Sequence, residues 1–492
     1  MKKTTLLNNA FPVLTLIFMM LLSLTLSAQV GIGTVTPDAS SVLDVSSTTQ
    51  GLLAPRMTTT QRLAIVSPAD GLMVYDTTLK VLSYYNSNSA GWNTIAGGSG
   101  DRIKFKRIKS TDVLATVLAA EKTAGGNTRY LLDSQTLYEI NGTINVDLPI
   151  EINNAYIVGL DTSDDKLVKA TGDLFIGTTG GSIRVVTLIA SAGKVFNIVA
   201  GAGQNFIFRD ATVAGSAEVG NLENFSLVFM SIIQYAANTK GIVFKSVGKL
   251  LLNNMGWLGS NSGTYEKIEG TFDLIQKIGG FSEVVGDKIG FDVSANPTIN
   301  NDAVMRDVVF NGALTTGKYV NGYTVGSYTG YNFNNRWTVS APGIPREDDA
   351  SAVGDANSDF GVGTGAATVL TTGTAVKLAG ATVSNNLFRF SRGGQDNRLQ
   401  YLGNKKRYVK ISGASSFQAT ANSTIYIFYL YKNGAVVNQS KVYVSSNSTS
   451  DVLAVPFQTI VELAPNDYVE VWVQRFSGLG NVLTVSLNMI VN

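Results

Sequence analysis

Carboxylates are the residues of this chain whose type and spacing come nearest to catalytic chemistry. Asp161-Thr162-Ser163-Asp164-Asp165-Lys166 gathers three of them in one short segment. Glycoside hydrolysis needs two carboxyl groups ~5–9.5 Å apart, one to give a proton and one to attack or to activate water. With Lys166 or Arg184 supplying positive charge, such a group on the flank of a β structure could hydrolyse or eliminate along a polysaccharide. The same residues make a solvated turn, because Asp and Ser side chains bond to nearby backbone in turns.

Other clusters have the same double character. Glu347, Asp348 and Asp349 offer the oxygen ligands that Ca²⁺ prefers, but no EF-hand or repeat-type spacing surrounds them, so a charged linker is expected. Lys405, Lys406 and Arg407 could meet anionic glycans, or simply guard a strand edge with charge. Gly177-Thr178-Thr179-Gly180-Gly181 lacks the lysine and following helix of a phosphate loop and reads as a turn. Arg392-Gly393-Gly394-Gln395-Asp396 reads as a loop. Tyr84, Tyr85 and Trp92 could stack on sugar rings or form the core of a small module. None of these groups is assigned as a catalytic, cofactor-binding or metal-binding site, and no cofactor is implied.

Composition narrows the field further. The 492 residues contain neither cysteine nor histidine. Disulfides, thiolate metal sites, cysteine nucleophiles and histidine-based triads are therefore excluded. Basic and acidic residues nearly balance, 38 against 36, for a net charge of +2. That gives no support to nucleic-acid binding. Fifty glycines against ten prolines, in a chain rich in Val, Ile, Thr and Asn, point to strands joined by tight turns.

The N-terminus reads as a signal peptide over residues 1–28. Lys2 and Lys3 precede an apolar run from Phe11 to Leu26, which ends in Leu26-Ser27-Ala28. The run is shorter than the ~20 residues a spanning helix needs, so cleavage after Ala28 is expected. The mature protein would be secreted or held at the cell surface, with no membrane insertion.

Residues 29–100 form a separate module of short strands, too small to bury much alone. Its blocks are Gln29-Val30-Gly31-Ile32-Gly33-Thr34, Gly51-Leu52-Leu53-Ala54-Pro55-Arg56-Met57 and Pro68-Ala69-Asp70-Gly71-Leu72-Met73-Val74-Tyr75-Asp76, ending at Gly91-Trp92. This wording resembles the N-terminal module of exported, tail-fibre-like surface proteins of the Bacteroidetes. The resemblance implies a stem or attachment segment, commonly on a homotrimer.

Residues 101–340 carry short apolar runs at a recurring interval. Gly172-Asp173-Leu174, Gly203-Gln204-Asn205-Phe206, Gly220-Asn221-Leu222, Gly248-Lys249-Leu250 and Gly270-Thr271-Phe272 introduce several of them. A mean spacing of about 24 residues is the length of one rung of a parallel β-helix. Roughly ten rungs at ~4.8 Å each predict a shaft ~45–50 Å long; a β-sandwich or a set of hairpins could use the same runs. Ser110 is the expected cap of a short helix over 112–120.

Residues 341–384, rich in Gly, Ala and Thr, read as a linker. Residues 385–492 then alternate cleanly. Val469, Val471 and Val473 are interleaved with Tyr468, Glu470 and Trp472, and Leu483, Val485, Leu487, Met489 and Val491 repeat the pattern. This is the period of half-buried strands in an antiparallel sandwich or jelly roll. Ile425-Tyr426-Ile427-Phe428-Tyr429-Leu430-Tyr431 is apolar on both faces, which predicts a subunit contact or burial under the linker. Together with Tyr408-Val409-Lys410-Ile411 and Ala464-Pro465-Asn466-Asp467, this block resembles viral tail-fibre tips and the trimeric jelly rolls of the tumour-necrosis-factor and complement-globular-head type. The resemblance implies a symmetric trimer with a binding tip.

The sequence therefore predicts an all-β protein: a short β-rich stem, a parallel β-helix shaft and an antiparallel jelly-roll tip. The expected function is that of an exported homotrimeric adhesin or structural fibre whose tip meets a glycan or a cell-surface receptor. A β-helical polysaccharide lyase or glycoside hydrolase is the alternative.

Overall fold

Short β-branched and aromatic runs separated by Gly, Asn and Asp fold almost entirely into strands in the computed structural model, which describes residues 29–95 and 104–492. The proposed signal peptide and the Gly97-Gly98-Ser99-Gly100 seam lie outside the described residues. The chain divides into two units, residues 1–102 and 103–492.

In the first unit, Val30–Ile32 pairs in parallel with Leu43–Val45. Arg56–Met57, Met73–Asp76, Val81–Asn86 and Gly91–Thr94 form a four-stranded sheet. Helix Thr59–Leu63 starts with a reciprocal cap between Thr58 and Gln61. Val74 is the one fully buried hydrophobic side chain among the described residues of this unit, while Val30, Ile32, Leu52 and Leu53 are more than half exposed. Polar bonds hold what the thin core does not. Buried Asp76 accepts from Arg62 Nε at 3.0 Å, Thr59 Oγ1 at 2.8 Å and the Leu79 amide at 3.0 Å. Tyr85 and Trp92 meet edge to face at 5.7 Å, with the Arg62 guanidinium over Trp92. Both rings are half-buried.

The second unit begins as a stack of rungs. A nine-stranded parallel sheet forms one wall, and a folded fourteen-stranded parallel sheet forms the other two. Phe175 pairs with Phe196, Phe196 with Gly220, and Glu266 with Phe291, offsets of 21, 24 and 25 residues. The solenoid has about eight turns, fewer than the ten expected. Its ends consume residues without adding rungs: two short helices, Leu114–Val117 and Ala119–Ala124, at the start, and a loop carrying buried Tyr323 and Phe333 at the finish. Nine strands at ~4.8 Å span roughly 40 Å. Ser110 does not cap the first helix; Val113 occupies that position without a side-chain bond. The Asp112 carboxylate instead accepts from the Lys109 amide at 2.8 Å.

The corner of the folded sheet is a column of left-handed residues: Val185, Asp210, Ile232, Asn254 and Asp307 have φ between 51° and 59°, and Gly279 has 66°. Each turns the chain from one wall into the next, and where the strand runs through the bend, as in Asn205–Ala214 and Leu227–Ala236, it serves two walls. Gly220 lies inside strand Glu218–Glu223 rather than in a turn. Its φ is +113°, and a Cβ there would sit 1.9 Å from the Phe196 carbonyl oxygen. Only glycine fits.

Residues 341–384 are not a free linker. Gly354–Asp359 and Ala366–Thr368 pair with the last strand, Val482–Val491, and Ala375–Lys377 pairs with Tyr468–Ser477. Gly354–Asp359, Ala366–Thr368 and Val482–Val491 complete a five-stranded sheet with Arg407–Ala419 and Leu453–Leu463; Ala375–Lys377 belongs to a seven-stranded sheet centred on Tyr468–Ser477 and Thr424–Lys432, which packs against it. Phe417 of one sheet meets Phe428 of the other at 5.0 Å. The expected alternation holds for Val469, Val471, Val473, Leu487, Met489 and Val491, all buried. It slips at Leu483, because a bulge between Ser416 and Phe417 turns Val482 and Thr484 inward instead.

Candidate functional site

The clusters singled out by type are used internally. Asp165 is buried and accepts from the Gly142, Leu160 and Asp161 amides at 2.7, 2.6 and 3.0 Å. Burial pushes its pKa up, but these three donors outweigh that and hold it below the ordinary carboxylate value. Asp161 bonds to the Ser163 amide at 2.8 Å. The segment is a turn clamped by Asp165, and it carries no ion pair to Lys166 or Arg184 among the described residues.

Glu347, Asp348 and Asp349 are joint-makers. Glu347 accepts from the Asn332 and Phe333 amides, each at 2.8 Å. Asp348 pairs with Arg346 at 2.7 Å and caps Ser351. Asp349 takes buried Arg389 and the Lys405 amide at 2.8 Å. Their lone pairs face protein donors, not a shared centre. Among the described residues, no group of three or more acidic side chains is arranged to hold a metal ion. Of the basic run, Arg407 donates to the Asp349 carbonyl, and Lys406 Nζ lies 3.5 Å from Glu462. Gly177 and Gly181 fall at strand ends in the solenoid wall, and Arg392-Gly393-Gly394-Gln395-Asp396 is a loop tied by the Arg392–Asp396 pair at 3.7 Å.

A different arrangement stands out on the outer face of the seven-stranded sheet. Antiparallel strands Thr424–Lys432 and Tyr468–Ser477 place Tyr429 opposite Trp472 and Tyr431 opposite Glu470. Strand alternation sends Tyr426, Phe428 and Leu430 into the core and Tyr429, Tyr431 and Trp472 outward. Tyr431 stacks on Trp472 at 4.1 Å and 13°, and Tyr429 continues the stack at 5.5 Å. Both Tyr431 and Trp472 remain partly exposed.

The doubly apolar strand is thus partly covered by its own sheet. Ile427 and Tyr429 are 4% and 3% exposed. Tyr429 OH donates to Gln474 Oε1 at 2.7 Å, and Lys441 Nζ approaches its ring. Both are buried within the single chain, without a partner.

Glu470 fixes the border of this platform. It receives Lys377 Nζ at 2.8 Å, Arg398 Nη2 at 2.8 Å and Trp472 Nε1 at 3.0 Å. Burial raises its pKa, yet Lys377, Trp472 and Arg398 together pull it below the ordinary value. It stays ionised at neutral pH and has no proton to give. Arg398 also lies over Tyr468 at 3.8 Å. The face therefore offers an aromatic platform beside two oriented cations against one carboxylate, chemistry suited to binding. Lys377 and Arg398 were missed because one sits in the supposed linker and the other in an unremarked short strand. The outward alternation Tyr429/Tyr431 and Tyr468/Glu470/Trp472 was the available signal.

Residues 31–111 match a family described as a phage tail-like trimerisation region. No curated protein matches the chain. Among solved structures, the enzymatically active domain of tailspike protein 4 of bacteriophage CBA120 is similar at 10% identity and a TM-score of 0.25, over 89% of this chain and 77% of that one. Pantoea stewartii WceF, described as a glycan biofilm modifying enzyme with a bacteriophage tailspike-like parallel β-helix fold, is similar at 10% identity and a TM-score of 0.22, over 89% and 71%. The trimerisation match supports a tail-fibre-like chain that assembles as a homotrimer.

Proposed function

We propose that this chain is an exported, homotrimeric, fibre-like surface protein, an adhesin or structural fibre, whose C-terminal sandwich meets a glycan or cell-surface receptor. The sandwich is read as a jelly-roll tip and the solenoid as its shaft. The observation that carries the reading is the outward Tyr431–Trp472 stack with Lys377 and Arg398 fixed beside it. Aromatic faces take the apolar side of a sugar ring or an apolar anchor of a protein, while the cations select hydroxyls or anionic groups. Three copies on one fibre multiply weak contacts through effective concentration. Binding is favoured over hydrolysis because Asp165 and Glu470 are consumed by hydrogen bonds and held ionised.

The test compares the mature wild-type chain with Tyr431→Ala/Trp472→Ala on glycan arrays and on cells. Loss of a central aromatic anchor costs on the order of 2 kcal/mol per site, about thirtyfold in affinity. Unchanged binding by the double variant defeats the platform. Shortened chains after incubation with a polysaccharide panel would replace the adhesin by the lyase or hydrolase.

A further inference from the structure

We propose that an outward apolar column on the long sheet of the solenoid is the strip along which three copies of this chain pack around a common axis. The inference rests on the trimer reading above and adds the surface that serves it.

The column follows from register. Strand pairing stacks Phe105, by way of Leu137, on Tyr156, and continues through Ile207, Phe229 and Leu251 to Val304. These side chains alternate with lumen residues such as Ile157, Phe208, Met230 and Leu252, so they point away from the core. Phe105 and Tyr156 are 56% and 46% exposed, and Ile207, Phe229, Leu251 and Val304 are half-buried. A solvent-facing wall of the same solenoid looks different. On the nine-stranded sheet, Lys194, Glu218 and Lys240 form a ladder of ion pairs at 3.9 and 2.7 Å, and Glu223 pairs with Lys245 at 3.3 Å. Charge is present where water is expected and depleted along the column, the composition of an interface centre.

Three features select a second copy of this chain as the occupant. The matched trimerisation region ends at residue 111 and so includes strand Lys104–Lys109, whose Phe105 starts the column. The extent also counts: the column crosses nine strands, which at ~4.8 Å make a strip about 38 Å long, and with its flanks ~15 Å wide it offers roughly 570 Å² per chain toward the roughly 800 Å² per partner of stable interfaces. Finally, rotation about a three-fold axis brings one flank of each copy against the opposite flank of the next. Asp302 and Arg306 lie on the two flanks of strand Thr298–Arg306. Both are exposed, and neither has an ion pair within the chain among the described residues. Each gains an opposite charge in that arrangement.

The test exploits the absence of native cysteine. Ser182 and Gln276 are the polar members of the column, so Ser182→Cys and Gln276→Cys leave the apolar contacts intact. Each variant of the full mature chain is treated with a short bismaleimide, and its solution mass is measured by light scattering. A trimeric mass with covalent dimers from both variants, and none from Val243→Cys on the nine-stranded wall, is expected. A trimeric mass without cross-linking in the column overturns this surface while leaving the trimer standing. A monomeric mass overturns both.

Discussion

Lys277 Nζ lies 2.8 Å from Glu266 Oε2 inside the solenoid, and the two side chains are 1% and 0% exposed. Lys277 occupies a lumen column otherwise built from Ile157, Ile183, Phe208, Met230, Leu252 and Met305. Glu266 sits in the facing column between Ile242 and Phe291. Trp257 Nε1 donates to the same carboxylate at 3.0 Å, from the middle of a Tyr235–Trp257–Tyr265 stack.

A buried pair of this kind contributes little net stability, but it is costly to break. Lys277→Met leaves Glu266 with Trp257 as its donor in a dry lumen and is expected to destabilise the solenoid by ~3–5 kcal/mol. Glu266→Gln/Lys277→Met keeps an acceptor for Trp257 and removes both charges, so it should recover most of that loss. Urea-unfolding midpoints of the three proteins check this. Equal midpoints for Lys277→Met and the wild type would mean that the pair is solvated.

Acid should weaken the first unit through Asp76. Burial pushes that carboxyl up, but bonds from the Leu79 amide, Thr59, Arg62 and the Thr78 amide outweigh it and bring the pKa down to about 2, from an ordinary 3.8. A depressed carboxylate stabilises the fold above the unfolded pKa and loses that contribution as pH falls through the folded one. The unit's thermal midpoint should therefore hold above pH 3.8 and decline toward pH 2. Asp76→Asn should lower the midpoint at pH 7 and flatten the acid decline; a parallel decline in that variant removes Asp76 as the cause.

What could be read in advance followed local periodicity. Val469, Val471 and Val473 announced a half-buried strand, and all three are buried in the sandwich. The rung spacing was legible because each lumen residue repeats once per turn. Residues 341–384 were not, because their strands are short, weak in β propensity and paired with distant partners; Gly354 lies opposite Val491. The aromatic platform was hidden for a related reason. Tyr431 and Trp472 were visible as strand residues, but their stacking depends on the register between two strands, and their cation Lys377 comes from the misread segment.

The bend column offers a stabilising substitution. Ile232 has φ 57° and is 55% exposed. A β-branched residue pays about 1–2 kcal/mol in this left-handed region, where Asn is tolerated. Asn254 already occupies the equivalent bend on the next rung at φ 51°. Ile232→Asn should raise the urea midpoint by the equivalent of ~1 kcal/mol, and a lower midpoint would show that the Ile232 side chain makes compensating contacts.

The joint between solenoid and sandwich should depend on Arg389. Its side chain is 1% exposed and donates to Asp349, to the Trp337 carbonyl and, at 3.2 Å, to the Glu347 carbonyl. Asp349 also holds the Asn404 and Lys405 amides at 3.1 and 2.8 Å, while Tyr331 stacks on Phe388 at 3.9 Å. One guanidinium thus ties the last rung, the 347–349 acidic run and the strand leading into the sandwich. Arg389→Met keeps much of the apolar bulk but leaves part-buried Asp349 without its cation and takes a donor from the Trp337 carbonyl, a loss of ~3–5 kcal/mol. Because all of these bonds sit at the joint, trypsin should reach Arg346 in the variant and release the sandwich, while the wild type resists under the same conditions. If Arg389→Met unfolds at the wild-type midpoint and resists trypsin equally, the aromatic stack and backbone pairing hold the joint without it.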